Sequence, residues 1–464
     1  LFTMRKEQGR VLRRSNIRWL VVGLLFLAIT FNYTDREIWV LTEPAFSVSF
    51  GWSRPGAPLS HLALANIGLI LFIWSLSYAI FNFPGGWITD KLGIRKAMAV
   101  FFGLWSTFTA FTAATFNFLS MAIVRGLMGA SEGPVWPINS KASKNWASVK
   151  DPSKAFTWAG SGQAIGPIIG LAGGAALYSL LGWRGVFIFF GVLGVILAVV
   201  WYFVVRDNPE KHPWVNEAEL KYIQEGKVLP TEPVLNSGDA WKIALRIVFT
   251  TQAGIGVLLT FISFGYILYT FLYWLPPLMY GAFVHSVTKS GYYSAAIDTA
   301  LFVGFVASGP FNDWLVARFG KVMGRRLGSI VPMALMIVFV GLSYFTGTAH
   351  ELLPTALLLA TAAGLMNLTV GSYAVNGFDI APPGTTATVY GIYNGILNLM
   401  GAFNSIIVSY LFIKYGPFIG FASAVFFMAL FLAGYLIFIR ESTWKRAVEY
   451  GYKLVNEAVN RDHK

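Results

Sequence analysis

The chain has 464 residues, of which 56% are hydrophobic and only 12% charged, with a mean hydropathy of +0.60. A water-soluble domain of this length needs far more charge to cover its surface, so the composition excludes an ordinary globular enzyme and points to lipid as solvent. With no cysteine and five scattered histidines, disulfides, thiol chemistry and a metal centre are left out, and no cofactor is expected.

Twelve apolar stretches, each long enough to cross a bilayer as a helix of about 20 residues, are predicted. They cover 19–41, 62–83, 97–116, 119–140, 155–180, 186–206, 247–280, 290–311, 327–347, 351–376, 386–413 and 417–440. The first is too long for a removable signal and lacks a small-residue cleavage site. A basic segment, 1–18, precedes a six-helix bundle over 19–206. The polar linker 207–246 follows, then a second six-helix bundle over 247–440 and a tail over 441–464. The linker holds Pro209, Pro213, Pro230 and Pro233 and a short amphipathic piece, 215–224, suited to a membrane surface.

The net charge of +13 would suit nucleic acid, but its placement does not. If both termini are cytoplasmic and the spans alternate, 29 of the 35 Lys and Arg fall on the inner side. Arg54, Arg184, Lys289 and Lys414 fall outside, and Arg36 and Arg125 lie in the membrane. This positive-inside bias sets the expected orientation in a cytoplasmic membrane. The basic leader is a topology signal touching anionic lipid, and nucleic acid is not expected as a partner.

The two halves repeat one another. Between spans 2 and 3 stand Gly86, Asp90, Lys91, Gly93 and Arg95; between spans 8 and 9 stand Gly309, Asp313, Arg318 and Gly320. Glycine lets helices approach, and each Asp is placed to cap a helix or pair with the basic residues beyond it. Gln163 precedes Gly170 by the same spacing as Asn394 precedes Gly401, which sets two amides at matching depths.

Charge inside the spans carries the functional signal, because an ionisable group at membrane depth is costly and marks a route for ions or solutes. Asp35 and Arg36 lie in span 1, Arg125 and Glu132 in span 4. Helix rise puts Arg36 about 24 Å up from the inner edge and Arg125 about 9 Å below the outer one, so Asp35–Arg125 or Arg36–Glu132 pairing is open. Arg36 offers a planar fork suited to a carboxylate, and Tyr33 shares its face. Asp35 and Glu132 are candidates for carrying a proton. The plain alternative is a set of static ion pairs fixing spans 1 and 4, and for Gln163 and Asn394 an interhelical hydrogen bond.

Other polar groups are secondary. Glu37 can neutralise Arg36. Asp298 in span 8 is a second candidate for proton or cation coupling. Asp379 reads as an end cap of span 10, and Ser372 and Tyr373 of the same span face the region where a solute would sit. The abundant Phe and Trp read mainly as lipid-facing packing.

Taken together, the chain resembles the major facilitator superfamily through Gly86-x-x-x-Asp90-Lys91-x-Gly93-x-Arg95-Lys96. More narrowly, it resembles the anion:cation symporter branch through Tyr33-Thr-Asp35-Arg36, Tyr78, Arg125 with Glu132, Ser161-Gly-Gln163 and Tyr390-Gly-Ile-Tyr-Asn394. That branch includes bacterial D-galactonate and other sugar-acid transporters and the animal sialin and vesicular glutamate carriers. The resemblance implies twelve helices in two pseudo-symmetric bundles and alternating-access symport of an organic anion with a proton, sodium being the other cation possible. It also implies that Arg36 holds the anion, that Tyr78, Gln163 and Asn394 contact it, and that Arg125 regulates Asp35 and Glu132. The glycines at 162, 166 and 170, with Pro167, also resemble the antiporter motif of drug exporters, which leaves a drug:proton antiporter as the alternative. A monomer is expected.

Overall fold

A computed structural model describes residues 14–56, 59–227, 235–279 and 287–462; the side chain of Asp298 lies outside the described part. Among those residues nine continuous helices are long and apolar enough to cross a membrane. Two of the nine are folded back on themselves at a single glycine. Gly93 (φ 80°) divides α2 (61–92) from α3 (94–112), and Gly182 (φ 64°) divides α5 (152–181) from α6 (183–204). Positive φ is open to glycine at no steric cost, so one residue suffices to reverse the chain. The charged helix α4 (118–146), interrupted at Gly133 and Pro134, brings the crossings to twelve.

The others are α1 (Ile17–Ser49), α7 (Gln252–Met279), α8 (Val287–Phe319), α9 (Lys321–Thr348), α10 (Leu352–Asp379), α11 (Thr386–Tyr415) and α12 (Phe418–Phe438). The repeat extends to backbone geometry: Gly320 (φ 81°, ψ 166°) turns α8 into α9 as Gly93 turns α2 into α3, and Gly416 (φ 92°, ψ 169°) matches Gly182. Two expectations change. The stretch between spans 2 and 3 is helical up to Gly93, and residues 247–250 belong to a separate helix, Ser237–Thr250, rather than to α7.

Both termini meet the linker, which defines one face of the bundle. Glu219 of the linker helix Glu217–Gln224 accepts the backbone N–H of Ile17 (2.9 Å) and Arg18 (3.1 Å), so it caps α1. At the other end of the chain Arg461 reaches Asp239 at 3.2 Å. Because Glu219 is fully buried, the linker helix is docked on protein there.

A central site between the two halves

Glycines place the helices of the site. Gly162, Gly166 and Gly170 of α5 lie against Thr30, Tyr33, Thr34 and Glu37 of α1, and a Cβ on any of them would collide there. The string resembling an exporter motif is therefore a packing seam between α5 and α1. Gly126, Gly129 and Gly133 do the same for α4, closing it onto α2 at Ile73, Trp74 and Tyr78. Glu132 lies between the last two, so this seam carries its carboxylate to Trp74.

Arg36 is cupped by three rings: its Cζ lies 4.3 Å from the centroid of Tyr33, 4.7 Å from Trp74 and 5.2 Å from Tyr78. Its hydrogen bond is to a neutral group, Nη2 to Asn32 Oδ1 at 3.2 Å, and Nε has no partner. Glu132 Oε2 stands 4.0 Å away, at the outer limit of an ion pair, and the Arg36 side chain as a whole remains a quarter exposed. Stacking over ring faces attracts the cation and leaves the donor edge of the fork open.

The acids around it are sparsely bonded. Glu132 Oε2 accepts the indole N–H of Trp74 at 3.1 Å, and Asp35 Oδ2 accepts the Thr109 hydroxyl at 3.0 Å. Their second oxygens, Glu132 Oε1 and Asp35 Oδ1, are buried without a partner. Arg125 is buried over the ring of Trp39 at 4.4 Å, donates to Met128 Sδ at 3.1 Å, and makes no ion pair among the described residues. Of the two open pairings, Arg36–Glu132 is approached and Asp35–Arg125 is not formed. Glu37 forms no ion pair either and lies against Gly170.

Gln163, next to Gly162 where α5 meets Thr30, is half-buried and has no hydrogen bond among the described residues. Asn394 differs: its Nδ2 donates across the halves to Asn82 Oδ1 at 2.7 Å, one turn below Tyr78. That amide pair is the floor under Arg36. On α7, Tyr269 donates to Asn398 Oδ1 at 2.8 Å and lies within electrostatic reach of Arg36 from the opposite half. Ser372 and Tyr373, expected to face a solute, each have neighbours within their own half. Ser372 is fully buried and bonded to Asn312 of α8, and Tyr373 is packed into an aromatic cluster with Phe264 (4.3 Å) and Phe261 (5.1 Å). Asp298 is on α8, its side chain outside the described residues.

Below the floor the halves are locked on the linker face. Asp90 accepts the backbone N–H of Ala387 (3.1 Å) and Thr388 (2.7 Å) at the start of α11, and pairs with Lys141 of α4 at 2.8 Å. Its partners are thus Lys141 in its own half and the start of α11 across the interface, and not Lys91, which is exposed beside Trp87, or Arg95. Arg95 uses its backbone N–H on Asp207 (2.9 Å), and Gly93 leaves room for that carboxylate. Gly86 has no space for a Cβ against Ala387. Asp379, expected to cap α10, instead pairs with Lys321 and Arg325, both at 3.2 Å. Inter-half hydrogen bonds among the described residues run from this face up to Asn82–Asn394.

Asn32, Trp74 and Asn82 were not singled out in the sequence. The available signal was spacing: each lies four residues from Arg36 or Tyr78, hence on the same helix face.

Residues 25–405 match the family model described as Major Facilitator Superfamily. Over 436 residues the chain is 26% identical to "Probable galactarate/D-glucarate transporter GudP" of Escherichia coli (strain K12), covering 90% of this chain and 92% of that protein. It is 26% identical to the hexuronate transporter of Bacillus subtilis (strain 168) over 409 residues, 86% of this chain and 89% of the relative. With sialin of Ovis aries it shares 27% over 354 residues, 73% and 68% respectively. Among solved structures, the proton:xylose symporter XylE superposes with a TM-score of 0.68 at 15% identity, covering 95% of this chain and all (100%) of XylE. The Escherichia coli fucose:proton symporter FucP superposes at 0.65 and 13%, covering 91% and 98%. At those identities the likeness is one of fold.

Proposed function

The chain belongs to the Major Facilitator Superfamily and is a multi-pass membrane transporter rather than an enzyme; from that premise we propose that it carries a small organic anion of the sugar-acid class together with a proton. The observation that carries the proposal is Arg36, whose part-exposed side chain lies among aromatic faces and whose hydrogen bond is to neutral Asn32. Relatives whose names specify galactarate, glucarate and hexuronate supply the substrate class. Such solutes combine a carboxylate for the Arg36 fork with hydroxyls for Gln163, Tyr33 and Tyr78.

Coupling to a cation follows from energetics. In a membrane that is negative inside, moving one anion inward is opposed by about 2.3 kcal/mol per 100 mV. A proton taken up with each singly charged anion removes that cost, and Asp35 and Glu132, each with one unbonded buried oxygen, are the acceptors. Loading both solutes leaves the site with the net charge it had when empty, so the halves can rock around it. Positive-inside placement of Lys and Arg sets the linker face toward the cytoplasm of a cell membrane. A positive group at the wall disfavours a cationic drug, and the α5 glycines that favoured an exporter are occupied in packing on α1.

The test is uptake into proteoliposomes of labelled D-glucarate, L-galactonate and D-glucuronate under an inward proton gradient. Accumulation above equilibrium that collapses with a protonophore is expected. Equal uptake with and without the gradient, or expulsion of lipophilic cations instead, overturns the reading.

A further inference from the structure

Trp74 is one side chain with two partners of opposite charge. Its ring face lies under Arg36 (4.7 Å from Cζ) while its Nε1–H donates to Glu132 Oε2 at 3.1 Å. The same ring stacks on Tyr78 (5.7 Å, 30°) and reaches Arg125 at 6.0 Å. The α4 seam packs the α2 backbone at Trp74 and Tyr78 against Gly129 and Gly133, and the indole, itself in contact with Gly129, is only 9% exposed.

We propose that Trp74 is the positioning residue that couples the anion site to the proton-carrying acid; this rests on the symport reading above. The indole N–H occupies a lone pair of Glu132 Oε2, in the ionised acid and in the neutral one alike. A proton arriving at Glu132 therefore goes to Oε1, the oxygen without a partner. The ring face at the same time fixes the plane of the Arg36 guanidinium, whose Nη2 stands 4.0 Å from Oε2. When an anion draws the Arg36 fork toward itself, Glu132 is left with the neutral indole donor, which keeps the carboxyl oriented while a proton replaces the receding cation. Anion arrival and protonation are thus read by one rigid side chain. Other charged or titratable groups facing this pair are Tyr33 and Asp35 on α1, Tyr78 on α2, Arg125 on α4 and Tyr269 on α7.

The experiment compares full-length wild type, Trp74→Phe, Glu132→Gln and the double variant in proteoliposomes, with D-glucarate, L-galactonate and D-glucuronate as probes. Counterflow exchange is measured beside accumulation driven by a proton gradient, both across pH. Phenylalanine keeps a ring for Arg36 and loses the donor to Glu132. Because a hydrogen bond to a charged group is worth roughly tenfold or more in an equilibrium, Trp74→Phe should reduce accumulation at least about tenfold more than exchange. It should also displace the pH profile of uptake. Added to Glu132→Gln, it should change the pH profile no further. An unaltered profile and full accumulation in Trp74→Phe overturn the proposal, as does equal loss of exchange and accumulation. Absence of gradient-driven accumulation in the wild type overturns the symport reading itself, and this proposal with it.

Discussion

Asp90 and Asp313 lock the linker face by the same device used in opposite directions. Asp90, at the end of α2, takes the backbone N–H groups of Ala387 and Thr388 and so caps α11 of the second half. Asp313, on α8, takes those of Ser153 (3.1 Å) and Lys154 (2.8 Å) and caps α5 of the first. A carboxylate at a helix N-terminus satisfies orphan donors and meets the positive end of the dipole. Each bond crosses from one half to the other, so both must break for this face to open.

Asp90→Asn should shift the conformational balance more than it shifts binding. Losing the charge at the α11 cap costs about 1–2 kcal/mol, a factor of roughly 5–30 in the closed population. The chain has no cysteine, so spin labels on single introduced cysteines report opening of the linker face without background. Substrate affinity should change less than about threefold on this account.

Arg36→Ala should abolish uptake of every organic anion while the protein still folds, checked by tracer flux and by size-exclusion behaviour. Arg36→Lys should not restore transport, because a point charge neither stacks on three rings nor presents a planar fork. Near-normal flux in either variant would remove the carboxylate role.

Gln163 and Asn394 occupy related positions in the repeat but carry different expectations. Gln163 has no hydrogen-bond partner among the described residues, so Gln163→Ala should leave thermal stability within about 0.5 kcal/mol and weaken substrate affinity roughly 2–10-fold. Asn394→Ala leaves Asn82 Oδ1 buried without its donor. It should cost the closed state about 1–3 kcal/mol, read as a changed label distance even without substrate.

His212, just beyond α6, is held neutral. Its Nε2–H donates to Val204 O at 2.9 Å and its Nδ1 accepts the N–H of Trp214 at 3.2 Å, with Trp146 edge-on. Burial lowers its pKa from the ordinary 6.5. The unfolded state therefore binds the extra proton first, and stability falls as pH drops below that value. Thermal unfolding should show wild type losing stability between neutral and acid pH more steeply than His212→Gln.

Membrane residence, twelve crossings, the repeat and the presence of charge within spans 1 and 4 were legible in the chain. Hydropathy over 20 residues, glycine spacing and charge at membrane depth are local properties that lipid enforces segment by segment. The same reasoning ranked Arg36 first from its neighbours on one helix face. It missed the partners of Asp379, which lie on another helix, and passed over Trp74 among many apolar rings.

What the sequence alone determined is which groups are placed in lipid where only a site justifies them. Which of them meet was decided by tertiary structure, since a helix face has no memory of the face it will pack on. The glycine seams at 126, 129 and 133 and at 162, 166 and 170 set those meetings. They allow backbones to approach until Trp74 reaches both Arg36 and Glu132, while Gly86, with no room for a Cβ against Ala387, lets Asp90 reach a helix nearly three hundred residues downstream.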